Sequence, residues 1–108
     1  MTENLPSDFA EALTKPEPPA AWPAPLAALW WLAKDATETA DTAAWARAHA
    51  LVQDASGPDA AWVHAHLHRI EGDAGNARYW YDRAGRSVPR ETLAEERAAL
   101  TAALSNAG

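Results

Sequence analysis

Alanine recurs along this chain at spacings of three and four residues, and that pattern restricts the folds available to it. About a quarter of the 108 residues are alanine. Alanine has the highest helix propensity and lets neighbouring helices approach closely, and residues that favour strands are few here. Glycine, proline and capping residues interrupt the alanine-rich runs. The sequence therefore predicts an all-α protein of antiparallel helical hairpins.

The first 25 residues differ from the remainder of the chain. Six prolines lie between positions 6 and 25 and exclude a long helix there. Residues 15–25 are expected to be extended or polyproline-like. The composition thus predicts a proline-rich arm over residues 1–25 and a helical domain over residues 26–108.

A short helix is possible within this arm, with Ser7 as its N-cap. Two alternatives remain open for the arm as a whole. It is either a loose tail or a segment that packs Phe9 or Trp22 onto the helical body.

Apolar residues at helical spacing, together with start and stop signals, predict five further helices. Pro25 suits a first helical turn, and Gly72 and Gly85 suit helix ends. Asp41 or Thr42 would cap one helix, and Asp73 another. The predicted helices cover residues 25–35, 42–55, 58–71, 74–85 and 89–104.

The last of these helices has an apolar face and an acidic face. Its apolar side carries three leucines, and Arg97 lies between them. The acidic side, which carries Glu91, Glu95 and Glu96, is expected to face water. We therefore expect this helix to cap one end of the helical stack.

An internal repeat links the two halves of the helical region. Residues 60–89 resemble one tetratricopeptide repeat, with a small residue in the first helix, Gly-Asp at the turn, Ala-Tyr-Ala in the second helix and a closing proline. Residues 26–55 resemble a weaker copy. This resemblance implies a right-handed stack of hairpins whose first helices line a concave, peptide-binding surface. The residues that carry it are Ala65, Gly72, Asp73, Ala77, Tyr81, Ala84 and Pro89.

The same segment also resembles small bacterial proteins of unknown function. The shared runs are Ala-Trp-Val-His-Ala, then Gly-Asp, then Asn-Ala-Arg-Tyr-Trp-Tyr. This second resemblance implies no activity.

Two hairpins are fewer than the roughly three that helical repeats normally need to bury their apolar faces. The last helix would cover one end. The other end must be covered by the proline-rich arm or by a second copy of the chain. The small number of hairpins therefore predicts a possible homodimer.

A group of histidines is the most distinctive chemical feature. His64 and His68 are four residues apart and share one helix face, which is a known zinc-binding arrangement. His49, from the preceding helix, is the natural third ligand, and Asp54 and Glu71 are weaker candidates. His66 points elsewhere. The sequence thus predicts a possible site for zinc or another transition metal.

The same histidines also have a purely structural interpretation. In the tetratricopeptide register, His64 and His68 replace packing residues. They would then lie half-buried between helices, and their ring nitrogens would bond the hydroxyls of Tyr79 or Tyr81, or backbone carbonyls.

Two further sets of residues suggest contact with a partner. Trp62, His66 and Arg69 recur at helical spacing and could bind a carboxylate-bearing peptide or a small acid on the concave surface. Tyr79 and Trp80 are adjacent to the packing residue Tyr81 and would meet either the last helix or a partner protein.

Composition excludes several classes of function. The net charge of −6 argues against binding to nucleic acid or to an anionic membrane surface. The absence of cysteine excludes disulfides, thiolate metal sites and cysteine nucleophiles. No apolar run reaches the length of a membrane span, and the first residues do not resemble a signal peptide, so we expect a cytoplasmic protein.

Standard catalytic motifs are also missing from the sequence. It contains no HExxH metalloprotease motif, no GxSxG elbow and no glycine-rich phosphate loop. Three functions therefore remain open. The leading one is a protein- or peptide-interaction module, or a small helical subunit of a complex. The second is a metal- or small-ligand-binding protein that uses His64, His68 and His49. The third is an enzyme whose site forms only at a dimer interface.

Overall fold

The computed structural model describes residues 6–35 and 42–105, and over these ranges it contains helices and no strands. The predicted all-α class is confirmed. The elements in chain order are α1 (Ser7–Ala12), α2 (Ala24–Asp35), α3 (Ala43–Gln53), α4 (Pro58–Glu71), α5 (Ala74–Ala84) and α6 (Leu93–Ser105).

Most of the predicted helix boundaries are confirmed by the capping geometry. Thr42 and Asp73 each accept a hydrogen bond from the backbone N–H three residues on, at 3.1 Å. The alternative cap, Asp41, lies outside the described residues. Gly72 and Gly85 follow α4 and α5 with φ of 86° and 74°. Only glycine adopts this left-handed conformation without a steric penalty, so it ends both helices sharply.

Two predicted helix starts are wrong. Ser7 is the first residue of α1 and not its N-cap. The N-cap is Pro6, and no side-chain hydrogen bond caps the helix there. The last helix begins at Leu93, four residues later than expected. Thr92 and Glu95 form a reciprocal capping box there, in which each side chain accepts from the other's backbone N–H at 3.1 and 3.0 Å. This box satisfies two of the backbone donors that the first turn of a helix starting at Leu93 would otherwise leave without partners.

Helix α4 forms the centre of the molecule. It packs against α2, α3, α5 and α6. Every residue from 60 to 68 is buried, although this stretch includes three histidines. Small residues support this close packing, since Ala65 is fully buried and Ala77 on α5 is almost so. A helix surrounded in this way presents functional side chains to each of its neighbours.

The proline-rich arm is part of the core. Phe9 is 1% exposed, and its ring stacks on that of Trp22 at 5.6 Å between centroids. The indole N–H of Trp30 donates to the carbonyl of Ala12 at 2.9 Å. Of the two alternatives for the arm, the structure has the packed one.

The segment that follows α1 is not the extended chain expected for residues 15–25. It contains turns and bends, and the N–H of Trp22 donates to the carbonyl of Pro19 at 3.1 Å. These turns return the chain to α2, where Lys34 holds the arm by donating to the carbonyls of Leu13 and Lys15.

Helices that are consecutive in the chain pack against each other in pairs: α3 packs against α2, and α5 against α4. The link between α4 and α5 is only two residues long. A link this short is typical of an antiparallel hairpin. The tetratricopeptide-like stacking of the pairs stays a prediction. Within the described residues, no helix combines the length and apolarity that a membrane crossing needs.

Candidate metal centre

Helices α3 and α4 bring three histidines together. One ring nitrogen each from His49, His64 and His68 lies within 4.8 Å of the others. His64 and His68 are one turn apart on α4 and are 4% and 9% exposed, whereas His49 on α3 is half-buried. The predicted convergence of these residues is confirmed. No such group forms around His66 in the part of the chain that the structure describes.

Two tryptophans border the cluster and fix its ring planes. Trp45 stacks on His49 with ring centroids 5.0 Å apart, and Trp80 stacks on His64 at 3.9 Å. The Trp45 indole N–H also donates to the carbonyl of Leu67 at 3.0 Å, which ties α3 to α4. The flanking rings restrict the rotation of both imidazoles, so the protein holds the cluster in place before any ion arrives.

A carboxylate orients the third imidazole. Nδ1 of His68 lies 2.8 Å from Oε1 of Glu71. Because a carboxylate accepts hydrogen bonds, this contact assigns the ring hydrogen to Nδ1 and leaves the lone pair on Nε2. Metal-bound histidines commonly have such a carboxylate partner, which fixes the tautomer and makes the ring a better ligand.

Burial favours the neutral form of two of the three histidines, because it lowers the pKa of both His49 and His64. For His64, burial together with the charge interaction with nearby His49 and His68 lowers the pKa to about 4. Burial and His68 also lower the pKa of His49. Neutral imidazoles carry the free lone pairs that a cation needs. The buried Nδ1 of His64 has no hydrogen-bond partner, which is costly for an interior polar atom.

The donor set fits a borderline transition metal. Zn²⁺ binds imidazole nitrogen at about 2.0–2.1 Å, which places tetrahedral ligands roughly 3.3 Å apart. The three ring nitrogens, all within 4.8 Å of one another, can reach this spacing with at most a small movement of the rings. Imidazole-rich sites without sulfur suit Zn²⁺, Cu²⁺ and Ni²⁺ better than Mg²⁺ or Ca²⁺.

The weaker ligand candidates are not part of this cluster. Asp54 is exposed at the end of α3. Glu71 and Asp73 form a second group with His68, but Glu71 already binds the His68 ring, and both oxygens of Asp73 accept from Asn76. Of these carboxylates, Glu71 alone contacts the cluster, as the partner of His68.

The predicted tyrosine partners of the histidines are wrong. The hydroxyl of Tyr81 donates to Glu96 at 2.5 Å, and the hydroxyl of Tyr79 accepts from Arg83 at 3.5 Å. Neither hydroxyl bonds His64 or His68. The structural interpretation thus loses its tyrosine partners, whereas the packing that it expects agrees with the burial of both histidines.

The strip of Trp62, His66 and Arg69 is not the exposed surface that its spacing predicts. His66 is fully buried, and Trp62 is 7% exposed. All three side chains donate to the carboxylate of Glu96, at 3.2, 2.7 and 2.9 Å. Arg86 lies over the Trp62 ring, 3.4 Å from its centroid. These residues attach α6 to α4 rather than facing a peptide.

Glu96 is the important residue that sequence analysis placed incorrectly. It is 3% exposed, not in water, and its Oε2 also accepts from Tyr81. Burial alone would raise the pKa of this carboxyl, but hydrogen bonds from its partners and the positive charge of His66 lower it to about 2. One signal could have found it: Glu96 falls at helical spacing with Leu93 and Leu100 on the apolar face.

The remaining candidate residues for partner binding differ from each other in exposure. Tyr79 is 52% exposed, and the guanidinium of Arg83 lies 5.7 Å from the centroid of its ring. Trp80 is half-buried against His64 and meets the histidine cluster instead of α6. It is Tyr81 that contacts the last helix, through Glu96.

Comparison with protein-family models, with curated proteins and with solved structures found no match to this chain.

Proposed function

We propose that this protein binds one divalent transition-metal ion, with zinc as the best chemical fit, through His49, His64 and His68. The single observation that carries the proposal is their convergence: three ring nitrogens from two helices within 4.8 Å of one another. The carboxylate of Glu71 on His68 and the unpartnered Nδ1 of His64 support it.

Zinc titration of the purified, metal-free protein tests this proposal. We expect one ion per chain, bound more tightly than micromolar at neutral pH. His49→Gln is the first variant to examine, because His49 is only half-buried and its loss should leave the fold intact. Loss of a carboxylate that orients a ligand typically weakens binding by about 10- to 100-fold, so loss of a ligand itself should weaken it at least as much.

Asp54→Asn is the matched control for this titration. This substitution removes an exposed carboxylate from the end of α3, the helix that carries His49, and does not alter the cluster. The zinc affinity of this variant should therefore equal that of the wild type. Circular dichroism should show the same helicity for all three proteins. Wild-type protein that binds zinc no more tightly than about micromolar, or a His49→Gln variant with unchanged affinity, would refute the metal function.

A second candidate is self-association as a helical interaction module, supported by the exposed ring of Tyr79. Large exposed aromatics beside an arginine are typical of interface hot spots. We expect wild-type protein to dimerise in sedimentation experiments at roughly tens of micromolar and Tyr79→Ser to remain monomeric with unchanged thermal stability. A wild-type monomer under these conditions removes this candidate. A cytoplasmic location stays a prediction for either function.

A further inference from the structure

We infer that the metal site has one exchangeable coordination position, which takes water or a small monodentate anion such as a carboxylate. This inference rests on the proposed function. Its basis is the donor set: the cluster supplies three ligands, and zinc and cobalt in such sites are completed by a fourth.

The nearby oxygens are already engaged. Glu71 accepts a hydrogen bond from the ring of His68 at 2.8 Å, and the two oxygens of Asp73 accept from the backbone and side chain of Asn76. Drawing either carboxylate to the metal would break an existing bond, and for Asp73 it would also uncap α5. Among the described residues, no fourth side chain joins the three histidines. The chain has no cysteine that could supply sulfur.

Charge and access favour a small anion in that position. The three imidazole ligands bring no negative charge to a divalent ion, and Glu71 acts only through the His68 ring, so a directly bound anion would reduce the remaining charge. His49 is half-buried, so the cluster lies near solvent on the α3 side, whereas the α5 side is covered by the Trp80 ring stacked on His64. A ligand larger than a few atoms would have to displace one of the flanking rings.

Cobalt substitution can detect this position directly. The full-length protein is loaded with less than one equivalent of Co²⁺, so that all the metal is bound, and sodium azide is then titrated while the visible absorption is recorded. Four-coordinate Co²⁺ absorbs strongly, and its bands shift when a ligand is exchanged. We expect a saturable shift with azide, and a competing shift with acetate, while the cobalt stays with the protein on gel filtration.

Glu71→Gln distinguishes an open position from one that Glu71 fills after metal binding. If the position is open, azide shifts the spectrum of both proteins. The inference is overturned if azide leaves the spectrum of the cobalt-loaded wild type unchanged, including the case in which only the Glu71→Gln variant shows a shift. Either result leaves the proposed metal function intact. Azide that strips the cobalt from the protein also overturns the inference. Failure to bind Co²⁺ or Zn²⁺ at all overturns both proposals.

Discussion

Glu96 shows how one buried charge can hold three helices together. Its two oxygens receive four hydrogen bonds, from Trp62, His66 and Arg69 on α4 and from Tyr81 on α5. A buried carboxylate without partners would be strongly unfavourable, so every donor compensates part of its desolvation. Because the four donors occupy fixed positions on α4 and α5, they also specify where α6 docks.

Glu96→Gln should lower the free energy of unfolding by about 3 kcal/mol or more, because it leaves Arg69 and the His66 ring without their carboxylate. The adjacent Glu95→Gln is the matched control. Glu95 is exposed, and glutamine can still accept the capping hydrogen bond from Thr92, so we expect a change below about 0.5 kcal/mol. Urea denaturation measures both values. Equal stabilities for the two variants would show that the network contributes little.

The pH dependence of stability gives a second readout of the same carboxyl. Its pKa is about 2 in the folded protein and 4.5 ordinarily. Between these values the unfolded chain binds more protons, so stability rises with pH across this window. The contribution of Glu96 is therefore complete above its ordinary pKa and is lost as the pH falls toward 2. The wild type should lose more stability than Glu96→Gln between about pH 6 and pH 3; parallel curves would contradict this.

At the scale of the helix, short-range chemistry was predictable from the sequence and the surroundings were not. Gly72 ends α4 and Asp73 caps α5, as expected, because capping involves only a few neighbouring residues. The start of α6 was misplaced because Pro89 also suits a first turn, and only the Thr92–Glu95 box decides between the two positions.

Helix α4 shows why the candidate site could be predicted only in part. His64 and His68 share a face by helical geometry alone, and His49 was the natural third member. The face with Trp62 and His66 has an equally amphipathic pattern, but α6 covers it. The local sequence does not reveal which side of a helix will be covered by a later helix, because this depends on tertiary contacts. The buried residues Trp62 and His66 therefore had the same pattern as residues on an exposed binding surface.

At the scale of the whole molecule, the arm contributes to the core beside the two helix pairs. Two helix pairs leave one end of the stack uncovered, and repeat proteins solve this with a capping element. Here α6 packs on α2 and α4, and the arm places Phe9 in the core and binds α2 through Trp30 and Lys34. The arm and α6 thus cover apolar surface for which the repeat resemblance expected either the arm or a second copy.

Phe9→Ala tests whether the arm is a working part of this core. The ring is 1% exposed, and removing a buried phenylalanine typically costs about 3–5 kcal/mol. We expect a loss near the lower end of that range, because the arm can detach and limit the damage, with unfolding still in one cooperative transition. Glu11→Ala, an exposed change on the same helix, should be nearly neutral. If Phe9→Ala were equally neutral, the packing of Phe9 would contribute nothing to stability, and another part of the chain would have to cover the apolar core there.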